Sequence, residues 1–265
     1  MRGINRDTVV EMFDRKIIWL FVGLTAFSLL VVFLTRGVEF NIRIDTAGDA
    51  EMNDMMATLA NPVTRAIGSY LSFLIFLAVL GSAGHLPHML ERGRIDFYLA
   101  RPITRTRLLT ARLAGIALAY GTMILLSGAV VYLALVAAHG SAGLNILYLF
   151  ASSLTAFLIW LSVTALAAVI SGSTAMAIMA AFLVWVAQTI LSYHMMFKGF
   201  FNSEIAGYVI DGLYYIVPKP SAIENIGLTL AYGAEVKDWL PLWTTLPVAF
   251  VLLVASVSLF KRHDY

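Results

Sequence analysis

The 265-residue sequence contains no cysteine. A disulfide framework, a thiolate metal site and a cysteine nucleophile are all excluded. Charge is scarce as well. Asp, Glu, Lys and Arg make up 13% of the chain, against about 25% in an average soluble domain. From Leu113 to Phe197, 85 consecutive residues carry none of the four. No Gly-Lys dipeptide occurs, so the phosphate-cradling loop of ordinary ATP-binding proteins is missing. Gly-x-Ser-x-Gly and paired intramembrane carboxylates are also missing, which removes the usual intramembrane hydrolase chemistry.

What fills the space is apolar: 60% hydrophobic residues and a mean hydropathy of +0.84. Charge costs a few kcal/mol or more per group at the bilayer centre, so a charge-free run of this length marks lipid as the solvent. A spanning helix needs about 20 apolar residues. Six stretches qualify: Ile17–Leu34, Ala66–Leu86, Leu108–Ala138, Leu144–Ile170, Thr174–Phe197 and Pro241–Phe260. Backbone polar groups in lipid must be satisfied within their own segment, so these are helices. The expected fold is all-α, one polytopic domain over residues 1–265. Thr35-Arg36-Gly37-Val38 is a poor cleavage site, so the first run is read as a retained helix.

Six spans put both termini on one side, and the basic residues select it. The N-terminal segment, the loop after the second span and the C-terminus hold twelve of the 18 Lys and Arg residues. The other side holds ten of the 16 acids. The basic side is expected to be cytoplasmic.

Residues 1–16 read as an amphipathic helix at the membrane surface. Thr8 and Glu11 fit a capping box, and Val10, Phe13 and Ile17 recur on one face. An N-terminal extension of the first span is the competing reading. Residues 87–107 are more specific. Ile95, Tyr98 and Leu99 share a helical face, Pro102 ends that helix, and Thr104 can cap the next one. Arginines surround the ridge. A topology signal alone would need only the arginines, whereas a proline-terminated ridge suits docking into a groove on a cytosolic partner.

This segment resembles the first coupling region of type-2 ABC transporter permeases. Glu91, Gly93, Ile95, Leu99, Ala100, Pro102, Ile103, Thr104 and Arg105 fall on that family's pattern, while Arg94 stands where the family has Thr. The basic N-terminal segment, the six spans, the Pro218-x-Pro220 turn and the ending Phe260-Lys261-Arg262-His263-Asp264-Tyr265 agree with it. The likeness is nearest to half-size permeases such as the membrane subunit of the nitrous-oxide-reductase maturation transporter. The resemblance implies a homodimer in a bacterial or archaeal cell membrane. Each copy would dock an ABC ATP-binding subunit through Glu91, Gly93, Ile95, Tyr98, Leu99, Pro102 and Arg105. ATP and Mg would sit on that partner, no cofactor on this chain, and transport would be export. Membrane lipid and accessory proteins are further expected partners, and nucleic acid is not. The alternative is a non-transporting membrane scaffold or regulator that recruits a cytosolic partner or anionic lipid through its Arg-rich loop. A secondary transporter would need buried ionisable coupling residues, and the charge-free spans argue against it.

Metal signals are weak. His85, His88 and Glu91 lie at i, i+3 and i+6, but Pro87 interrupts them, and they read as interfacial polar residues. Met52, Met55 and Met56, with His194, Met195 and Met196, offer ligands suited to Cu(I) on the acidic side. Packing is the preferred account of them, and no metal is expected. Ser152, Ser153, Thr155, Ser162 and Thr164 are expected to bond to backbone or between helices. Gly115, Gly121 and Gly128 are expected to permit close helix approach. The loop 198–240 is expected to form short helices that partly re-enter the membrane, sheltered by the bundle.

Overall fold

The computed structural model describes residues 16–34, 62–90, 104–139, 144–193 and 204–262. These form nine α-helices among the described residues: α1 (Ile17–Leu34), α2 (Pro62–Ser82), α3 (His85–Leu90), α4 (Arg105–His139), α5 (Leu147–Ser171), α6 (Thr174–Leu191), α7 (Glu204–Ile216), α8 (Pro220–Ala231) and α9 (Leu240–Arg262). A single 3₁₀ turn, Leu144–Ile146, leads into α5. Six segments are long and apolar enough to cross a membrane: α1, α2 with α3, α4, α5 with its 3₁₀ turn, α6 and α9. Their outer surfaces expose Trp19, Phe27, Phe33, Leu133, Phe182 and Phe250. In water such a belt would drive aggregation, and in lipid it is the correct solvent match.

The bundle is built around α5. This helix is apolar on every side and buries 14 of its residues, as a central helix must. Helices α2, α4, α6, α8 and α9 all pack on it. Helix α4 runs antiparallel to both α2 and α5, its neighbours along the chain of spans. Gly81 and Gly128 show the register of α2 against α4. A Cβ at Gly81 would lie 2.8 Å from the Tyr120 hydroxyl, and one at Gly128 would lie 2.8 Å from Leu71. A Cβ at Gly128 would also lie 2.7 Å from Phe150 of α5, so this glycine marks close helix approach, whereas one at Gly121 would lie 3.4 Å from Leu154, an ordinary contact. The end of the bundle where α4 begins carries Arg105, Arg107 and Arg112, and α9 brings Lys261 and Arg262 to the same end. We call it the arginine face.

Three boundaries differ from the sequence expectation. The second span starts earlier, at Pro62, and is broken at Ala83-Gly84 before α3. Pro87 explains the break: its ring opposes the carbonyl four residues back, at Ala83, and it has no N–H to give. His88 still bonds back to the Gly84 carbonyl at 3.2 Å, which restarts the helix. The fifth span, expected to reach Phe197, ends at Leu191, followed by a turn at Ser192-Tyr193. Apolar residues continue beyond that point, so hydropathy gave no stop signal. The break between α5 and α6 falls where expected. Gly172 closes α5 at φ 62°, a left-handed conformation that favours glycine.

Candidate functional site

Three features of the described structure bear on function: the proline-turn segment α7–α8, an apolar cavity beside it, and the start of α4. Helices α7 and α8 are joined through Val217, Pro218 and Lys219; α8 packs on α5, while α7 contacts α6 and α9. Proline restrains the residue before it, so Pro218-x-Pro220 breaks one helix and starts the next, with Pro220 at the first helical position of α8. A helix start leaves amide N–H groups without intrahelical acceptors. Here two spans supply acceptors. Gln188 of α6 accepts the Ser221 N–H at 3.3 Å and donates to the Ser221 hydroxyl at 2.8 Å. Thr245 of α9 accepts the Lys219 N–H at 3.2 Å. The turn is thus clasped between α6 and α9. Ile223 packs with Ile159, midway along α5, and with Ala249 of α9. Along its length α8 lies directly on α5. At Gly227 an added Cβ would fall 1.8 Å from the Ser152 hydroxyl, so only glycine fits there.

Lys219 is buried in this turn, 4% exposed. Its ammonium lies 4.0 Å from the centre of the Tyr214 ring and 3.4 Å from the Thr244 hydroxyl. Burial disfavours the charge and brings the Lys219 pKa down to about 8, with Asp238 opposing the shift.

Beside α8 is a cavity of about 870 Å³. Helix α2 supplies Ser72 and Phe76, α5 supplies Trp160, α6 supplies Phe182 and Trp185, and α8 supplies Glu224. Ser72 donates a hydrogen bond of 2.5 Å to Glu224 Oε2. Burial pushes the Glu224 carboxyl above the usual carboxylate range, against the pull of that bond.

At the arginine face, Thr104 caps α4. Its hydroxyl accepts the Arg107 N–H at 3.4 Å, and its carbonyl accepts the Leu108 N–H. Arg105 sits on the first turn, and Arg112 is buried, 3% exposed. Of the residues expected to couple to an ATPase, Arg105 is described, while Glu91, Gly93, Ile95, Tyr98, Leu99 and Pro102 lie outside the described residues. Val10 and Phe13 lie outside them too. Ile17 is described: it is buried at the start of α1, against Gly81. Met52, Met55, Met56, His194, Met195 and Met196 also fall outside.

His85 is fully buried, with Nε2 2.9 Å from the Tyr120 hydroxyl. Tyr120 in turn packs against Phe21 and Phe157. Among the described residues no group of three His, Asp or Glu side chains could hold a metal. Ser152, Thr155, Ser162 and Thr164 bond to carbonyls three or four residues back, as expected of hydroxyls in apolar helices.

Glu224, Ser72, Gln188 and Gly227 were missed by sequence reasoning. Glu224 counts there as one more acid in an acidic loop. The usable signal was a single carboxylate in the apolar helix following a proline break.

A family model described as ABC-2 family transporter protein matches residues 7–265, nearly the whole chain. The chain belongs to the ABC-2 transporter family. It is a multi-pass, all-α membrane protein and the permease subunit of an ABC transporter, with ATP hydrolysed by a separate ABC subunit. The permease itself is not catalytic. No curated protein matches the chain.

Proposed function

We propose that this permease works as a homodimer in the cell membrane of a bacterium or archaeon, both termini cytoplasmic, and exports its cargo. The cargo path runs along the cavity wall of α2 and α6. Nucleotide cycling on the partner, which holds ATP and Mg, reaches the spans through residues 91–105. The nitrous-oxide-reductase maturation permeases remain the subfamily suggested by the coupling sequence.

The observation that carries this reading is the length of α4. Its span Arg105–Ala138 has 34 residues, about 51 Å at 1.5 Å per residue, against a hydrocarbon layer of about 30 Å. All its charges lie between Arg105 and Arg112. The surplus therefore projects at the arginine end, where the loop 91–103 joins α3 to α4. A force on that loop acts on a continuous helix through the bundle. The start of α8 meets α5 at its midpoint, so the same reading has α7 and α8 re-entering the bilayer, with the amides at their turn satisfied by Gln188 and Thr245.

The test is purification from native membranes in mild detergent. A stoichiometric ABC ATPase should accompany the wild type, and Tyr98→Ser with Leu99→Ser should release it. If those changes leave every partner bound while Arg92→Ala with Arg94→Ala releases it, the chain is a charge-recruiting scaffold. The cysteine-free sequence also permits a single Arg94→Cys probe. Labelling of that probe by an impermeant maleimide in intact cells would reverse the orientation and end the coupling proposal.

A further inference from the structure

We propose that the cavity between α2, α5, α6 and α8 binds an amphiphilic cation, with its ammonium group on the Glu224 carboxylate and its apolar body along Phe76, Phe182 and Trp185. This names a substrate class for the path proposed above and rests on that reading only for the word cargo.

The argument starts from the wall. At about 870 Å³ the cavity has the size of a site for a medium-sized organic molecule. Its lining is mainly aliphatic and aromatic, and Glu224 is the only ionisable side chain among the described lining residues. Neutral polar groups also face it: Ser72, Ser153, Ser221 and Asn225.

A carboxylate taken out of water must be paired, hydrogen-bonded or protonated. Ser72 supplies one hydrogen bond. Desolvation is nonetheless the larger influence on Glu224, and no described cation offsets it. An occupant that brings a positive charge relieves this cost. A neutral lipid tail leaves the cost in place, and an anionic headgroup adds repulsion.

The aromatic rim favours the same occupant. Trp160, Trp185, Phe76 and Phe182 can hold an alkyl or aryl body and can face a cation with their rings. Phe182 and Trp185 already stack at 5.9 Å between centroids. Charge complementarity at one end and apolar surface at the other thus select a molecule with both properties. A second copy of the chain would cover the groove without offering that pairing.

Trp160 and Trp185 supply the readout. The full-length protein, with Trp19, Trp239 and Trp243 each replaced by Phe, is placed in phosphatidylcholine nanodiscs. It is titrated with 12-bromododecylammonium, whose bromine quenches tryptophan, and with the matching neutral N-acetyl amide and the carboxylate. The ammonium should quench saturably and bind about tenfold more tightly than the amide, as expected for one charge-assisted hydrogen bond. The carboxylate should bind more weakly than the amide.

Glu224→Gln keeps the shape and can still accept from Ser72. It should erase the difference between ammonium and amide while leaving amide binding unchanged. Ser72→Ala keeps the charge and should retain the preference. Equal affinity of all three probes for the wild type would mean a lipid-tail groove and overturn the proposal. So would a preference that survives Glu224→Gln, or the absence of saturable quenching, which would mean a groove closed by a second copy. No nucleotide enters this assay. Failure of an ATPase to co-purify therefore leaves it standing, and its own failure leaves the permease reading standing.

Discussion

Gly227 of α8 stands where a single methyl group would press into Ser152 of α5, 1.8 Å from its hydroxyl and 2.4 Å from its Cβ. This is the tightest of the glycine contacts in the bundle, and it sets how closely α8 can lie on the central helix. Gly227→Ala should destabilise the protein. Alanine gains about 0.5–1 kcal/mol in helix preference over glycine, but overpacking costs about 1–3 kcal/mol or more, so the clash wins. Adding Ser152→Gly should return much of the loss by restoring room on the other side. Thermal unfolding in detergent of the two single variants and the double variant measures the coupling.

Tyr120→Phe removes the bond to His85 inside the core. The expected cost is about 1–3 kcal/mol, because a buried polar atom loses a partner. A fall in melting temperature no larger than that of an exposed Tyr208→Phe control would contradict this.

Thr104→Ala removes the hydroxyl that caps α4 at the edge of the proposed coupling region. Lost N-caps cost about 0.5–2 kcal/mol, and the 3.4 Å bond here places the effect at the lower end. The more telling readout is stimulation of the partner ATPase by the permease. It should fall in Thr104→Ala and be retained in Thr104→Ser.

Much of this was legible in the sequence, for identifiable reasons. The start of α1 coincides with expectation because Lys16 precedes the run with a charge. The break before α6 was legible because Gly172 supplies the left-handed residue that ends a helix. Thr104 was legible as a cap because Pro102, two residues earlier, disfavours helix at the residue before it and so marks a new helix start. Other features rest on partners far along the chain. Glu224 meets Ser72 across 152 positions, and Gln188 meets Ser221 across 33. Hydropathy says only that each is a polar group in greasy surroundings. The early break in the second span was legible in kind but misplaced, because Pro87 acts on the carbonyl four residues behind it.

The clasp at Lys219 has a bearing on how the chain is made. Its backbone amide is held by Thr245, and Ile223 shares a cluster with Ala249, both on α9. A ribosome releases α9 after α8. Until then α8 can rest on α5, but its tip lacks its closing latch, so a helix made later completes an element that could not be finished when it emerged.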